Sequence, residues 1–99
     1  MTLRALLENA VEDLEDVECV EVGDGVEWRR GGRAFAAVSD DVAEFQLDGP
    51  VAGAAARTPD TRASKRGPDW VSFSPPALDQ YAQDRARAWL AFAWRSVGD

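Results

Sequence analysis

The hydrophobic positions change period along this chain, and each change marks an element. Leu3, Leu6, Leu7, Ala10, Val11 and Leu14 recur at helical spacing, with Glu8, Glu12, Asp13 and Glu15 on the other side. This pattern predicts an amphipathic helix from a Thr2 cap to about Leu14. From Val17 the period shortens to two, as in strands with one buried face. Residues 17–22 put Val20 and Val22 on one face and Cys19 on the other. Residues 26–30 alternate Val26 and Trp28 with Glu27 and Arg29. Residues 33–39 set Phe35 and Ala37 opposite Ala34, Ala36 and Val38. Residues 42–47 turn Ala43, Phe45 and Leu47 inward, and Glu44 and Gln46 outward. Gly23-Asp24-Gly25, Gly31-Gly32 and Asp40-Asp41 separate these runs and supply the turn chemistry of an antiparallel meander.

Beyond the meander, Asp48-Gly49-Pro50 breaks the strand and caps a short Ala-rich helix over residues 51–57. Residues 58–68, rich in Pro, Gly, Ser and Thr, read as one long loop. Trp70 to Phe73 predicts a fifth strand. Ser74 then stands as the expected cap of a terminal helix, with Pro75 and Pro76 in its first turn and Gly98 as its stop. Leu78, Ala82, Arg85, Trp89 and Ala93 form one ridge of that helix, with Ala86, Leu90 and Val97 beside it. The order is α-ββββ-α-β-α. It implies a single α+β domain over residues 1–99, an antiparallel meander packed on the N- and C-terminal helices.

Charge changes the picture. There are 18 acids against 11 bases, a formal net charge of −7, and Lys65 is the only lysine. The Arg bias suits a GC-rich genome, and the acidity would also suit a salt-adapted cytoplasm. The excess of acid argues against non-specific binding to nucleic acid or anionic lipid. It is unevenly spread: residues 1–27 carry nine acids and one base, whereas residues 57–68 carry four bases and one acid. No apolar run approaches the roughly 18 residues that span a bilayer. The opening segment turns acidic where the cleavage region of a leader would stand, so a cytoplasmic setting is expected.

The candidate chemistry is sparse. With no His in the chain, the usual general base and the commonest metal ligand are missing. Cys19 sits between Glu18 and Glu21, which disfavour a thiolate, and reads as a small core residue. The acids from Glu12 to Asp16 read as a solvated helix surface and its exit, and Asp40-Asp41 as a turn. Arg85 falls on the apolar ridge, where a charge needs a partner, so a salt bridge is expected there. What remains is the basic segment. Arg57, Arg62, Lys65 and Arg66 could hold an anion, with Trp70 or Trp28 as a flat wall.

Arg57-Thr58-Pro59-Asp60-Thr61, followed by Arg66-Gly67-Pro68 and Trp70-Val71 and then a Trp-rich final helix, resembles the small MmcQ/YjbR-like family. The resemblance covers most of the chain as topology, with Trp70-Val71 and the aromatic helix as its motif. It implies a cytoplasmic α+β domain of a kind described as having a double-wing DNA-binding architecture, and it assigns no functional residue. This chain differs in its acidity and its single Lys.

The residues together point to a non-catalytic binding module for an anionic small molecule or a protein partner, with no cofactor and no metal. The site would lie on the concave face bordered by residues 57–70 and the meander. One alternative is a protein that self-associates, as a homodimer, through the Trp94 side of the final helix. Another is a DNA-binding protein using the basic loop.

Overall fold

The structure is a computed structural model, and it describes residues 1–98. It contains α1 (Leu3–Val11), β1 (Glu18–Val22), β2 (Gly25–Arg30), β3 (Arg33–Ser39), β4 (Val42–Gln46), α2 (Gly49–Ala55), β5 (Thr61–Ala63), β6 (Trp70–Phe73) and α3 (Gln80–Gly98). The six strands form one antiparallel sheet in the order β1-β2-β3-β4-β6-β5. The helices pack on one face of it, which makes this a small α+β fold.

Thr2 caps α1 as expected, its hydroxyl accepting from Ala5 N at 3.0 Å. Leu3, Leu6 and Leu7 are buried. The helix stops at Val11, three residues before the expected end. Glu12, Asp13 and Leu14 instead make tight bonds three residues back. Glu12, Asp13 and Glu15 would otherwise stand at the negative end of the helix dipole. Asp16 ends the turn at φ 58°, a conformation that Asp tolerates.

The meander forms at the expected positions. Gly31 and Gly32 both take positive φ, 59° and 80°, as a primed two-residue turn requires. Gly25 opens β2 where nothing larger fits, since a Cβ there would stand 2.3 Å from the Val38 carbonyl oxygen. One expected alternation fails. Trp28 pairs with Ala36 and Arg29 with Ala34, so Phe35 is the extra residue of a β-bulge. Phe35 and Ala36 are therefore both buried in the core, not on opposite faces.

Two further expectations are corrected in the second half. Residues 58–68 are not one loop, because Thr61–Ala63 forms β5 against β6, in register Thr61↔Phe73, Arg62↔Ser72 and Ala63↔Val71. Three residues are too few to show a period, so this strand exists through its partner. The Thr61 hydroxyl anchors its start, lying 2.7 Å from both Ala55 O and Thr58 O with its one proton to donate between them. Asp48 does cap α2, accepting from Val51 N at 3.2 Å. The terminal helix begins at Gln80, and its first-turn acceptor is Asp79, which takes Ala82 N at 2.9 Å. Ser74 is not the cap. Pro75 and Pro76 bias Ser74 and Pro75 toward extended backbone, and residues 75–78 carry the chain from the sheet to the helix layer.

The core lies between the sheet and α1 and α3. Ala82, Ala86, Leu90, Ala93 and Val97 form the buried stripe of α3. Three Ala in that stripe bring the helix close to the sheet. Trp89 flanks it, packing edge-on against Phe45 at 6.1 Å and Phe73 at 5.3 Å between ring centroids. Among the described residues, no helix is long and apolar enough to cross a membrane.

Candidate functional site on the outer sheet face

The second face of the sheet carries no helix. Strand register places one row of side chains across it: Val20, Glu27, Ala37, Glu44, Ser72 and Arg62, one from each strand. The β5–β6 loop, residues 64–69, folds over this row. Arg66 holds it there. Its Nη1 donates to Glu27 Oε1 at 2.7 Å and its Nε to Glu44 Oε1 at 2.9 Å. The small Ala37 lies between the two carboxylates in the row. Arg29 closes the other side of Glu27, donating from Nε to Oε2 at 2.6 Å. The Ser64 hydroxyl donates to Glu44 and accepts from Arg66 N, the latter at 3.1 Å. The Arg66 guanidinium also lies 5.2 Å from the centre of the Trp70 ring.

The cluster is charge-balanced, with two guanidiniums against two carboxylates. The Glu27 side chain is only 10 % exposed. Burial alone would raise its pKa, but the hydrogen bonds and charges of Arg66 and Arg29 hold it below the ordinary 4.5. For Arg66 burial acts downward, and Glu44 and Glu27 outweigh it, so its pKa is raised.

Beside the cluster is an open groove of about 600 Å³ between the β3–β4 turn and the β5–β6 loop. Ser39, Asp40, Arg62, Ser64, Lys65 and Ser72 are among its walls. Neither Arg62 nor Lys65 forms an ion pair among the described residues. Outside any ion pair among the described residues, the groove thus presents two cations and the Asp40 carboxylate, with the hydroxyls of Ser39 and Ser72 beside them.

The structure brings four of the six sequence-predicted site residues to this region: Arg62, Lys65, Arg66 and Trp70. Arg66 is committed to Glu27 and Glu44, and Trp70, with its ring 5.2 Å from that guanidinium, does not line the groove and so is not its flat wall. Arg57 is exposed just after α2 and does not line the groove. Trp28 cannot supply a flat wall, because it is 1 % exposed and sits in the core on the other face of the sheet. Sequence reasoning set Glu44 outward and put Glu27 on the face opposite Trp28, but missed both as partners of the loop. The available signal was their shared outward phase in two strands of the meander, together with an Arg in an otherwise unanchored loop.

Other expectations resolve locally. Cys19 is exposed on the edge strand β1, not buried. Arg85 has no salt bridge among the described residues and instead lies 5.9 Å from the centre of the Trp89 ring. Trp94, the aromatic that suggested self-association, is engaged within the chain. Its Nε1 donates to Glu15 O at 2.8 Å, and Arg30 covers its ring at 3.9 Å while donating to Trp94 O at 2.9 Å. Among the described residues, no group of three or more His, Cys, Asp or Glu side chains is placed to hold a metal ion.

No family model matches this chain, and no curated protein or solved structure matches it.

Proposed function

We propose that this chain is a non-catalytic binding module for small anions or anionic groups of a partner, with the groove beside Arg62 and Lys65 as its site. One observation carries the reading. Arg62 and Lys65 form no ion pair among the described residues and stand on a segment that the Arg66 cluster fixes to the sheet. A preorganised pair of cations loses less freedom on binding than two on a mobile loop. Ser39 and Ser72 would add hydrogen bonds to the anion's oxygens, and Asp40 would exclude ligands with negative charge on its side. A cytoplasmic setting belongs to the same proposal, and the single Cys, which can form no disulfide within the chain, is compatible with it.

The test is a backbone amide NMR titration with inorganic pyrophosphate and, separately, with a short DNA duplex, at low and high salt. Pyrophosphate should shift residues 62–66 and Ser72, and the Arg62→Ala/Lys65→Ala variant should lose the response. The duplex should bind far more weakly, because the net charge of −7 opposes it. Duplex binding at the same residues that outcompetes pyrophosphate would instead favour the DNA-binding architecture implied by the MmcQ/YjbR-like resemblance. Silence from both ligands would overturn the reading.

A further inference from the structure

At the opposite edge of the sheet from the groove lies β1, and its outer side is open. Glu18–Val22 makes its ladder with β2 and no other backbone hydrogen bond among the described residues. Glu18, Cys19, Glu21 and Val22 are exposed and Val20 is half-buried, so neither face of the strand is covered. Val22 is 50 % exposed, and Val42, three strands further along the same face, is 37 % exposed.

The two edges are protected differently. β5 is three residues long, with Pro59 before it and Lys65 after it, features that blunt an edge against further pairing. β1 is five residues long and contains neither Pro nor a base. Its charges are Glu18 and Glu21, with Asp16 and Asp24 at its two ends, and none of these four forms an ion pair among the described residues. Arg29, the cross-strand neighbour of Glu18, is committed to Glu27. The acids oppose the pairing of two copies through β1, since that ribbon would gather both sets of carboxylates. The same acids favour a strand of opposite charge.

We infer that β1 is a docking edge for a basic, extended segment of a partner protein, which adds to the sheet as a seventh strand. Main-chain hydrogen bonds would supply the pairing. Basic side chains beside Glu18 and Glu21 and apolar ones beside Val20 and Val22 would set the register. The site is independent of the groove and of its ligand.

A capped Val-Lys-Val-Thr-Lys peptide, which paired antiparallel sets Lys beside Glu21 and Glu18 and Val beside Val22 and Val20, is the probe, with Val-Glu-Val-Thr-Glu as control. Amide hydrogen exchange and chemical shifts of residues 18–22 are the readout. The Lys peptide should slow exchange along β1, and the Glu peptide should leave it unchanged. Glu18→Lys/Glu21→Lys changes exposed side chains only and should preserve the fold. It should weaken the Lys peptide about tenfold, because each exposed charge pair contributes modestly. No protection at β1, an equal response to both peptides, or an unaffected double variant would overturn the inference. So would a mass that rises with protein concentration while the β1 amides gain protection without any peptide, which would show β1 pairing with itself.

Discussion

Glu27 is the residue on which the outer face turns. It is a nearly buried carboxylate held by two guanidiniums, and removing its charge leaves Arg29 and Arg66 facing each other without their partner. Glu27→Gln should lower unfolding free energy by about 2 kcal/mol in chemical denaturation, since a hydrogen bond to a charged group is worth more than a neutral one. The pH dependence follows from the direction of the shift. The folded-state pKa lies below the ordinary 4.5, so the folded protein releases the Glu27 proton more readily than the unfolded chain. Its contribution is therefore fully present above about pH 4.5 and is lost as the pH falls through the lower, folded value. Glu27→Gln should flatten that part of the stability profile, and denaturation midpoints of the two proteins measured from neutral to acid pH would show it. Gly25 makes a second prediction at this scale. Gly25→Ala should destabilise by about 2 kcal/mol, because the new methyl meets the Val38 carbonyl rather than a side chain that can move.

At the scale of elements, the termination of β6 and the start of α3 separate two competing accounts of the same sequence. Ser74-Pro75-Pro76 has the composition of a helix start, but the capping contact belongs to Asp79. Asp79→Ala should therefore cost about 1 kcal/mol, while Ser74→Ala should be near neutral; thermal midpoints of the two variants decide it. The β5–β6 loop depends in the same way on Arg66. Arg66→Ala should speed amide exchange across residues 64–70 while leaving β2, β3 and β4 protected. What was legible in the chain follows a pattern. Long periodic segments, glycine turns and the Asp48 cap were readable because their causes are local. The bulge at Phe35 and the strand at Thr61–Ala63 were not, because each is set by the strand it pairs with, and the start at Gln80 was missed because Ser74 and Asp79 both offer cap chemistry. The site was half legible. The basic segment announced Arg62, Lys65 and Arg66 by composition, whereas the carboxylates that neutralise Arg66 come from strands more than 20 residues earlier. Trp28 was misplaced because an alternating strand shows which residues share a face but not which face meets the helices.

For the whole molecule, the decisive property is the separation of charge across one sheet. The acidic N-terminal segment ends in the open edge β1, and the basic segment forms the other edge and its loop. A net charge of −7 surrounds both, so attraction of an anion to the groove must be local and should weaken as salt rises. The most direct measurement is the affinity for pyrophosphate, at low salt, of the unaltered protein and of Arg62→Ala/Lys65→Ala. A groove built for anions predicts saturable binding with shifts at residues 62–66, lost in the double variant while its denaturation midpoint stays unchanged. Binding that survives the double variant, or no binding by the unaltered protein, would contradict the account and leave the Arg66 cluster as a clasp for the loop alone.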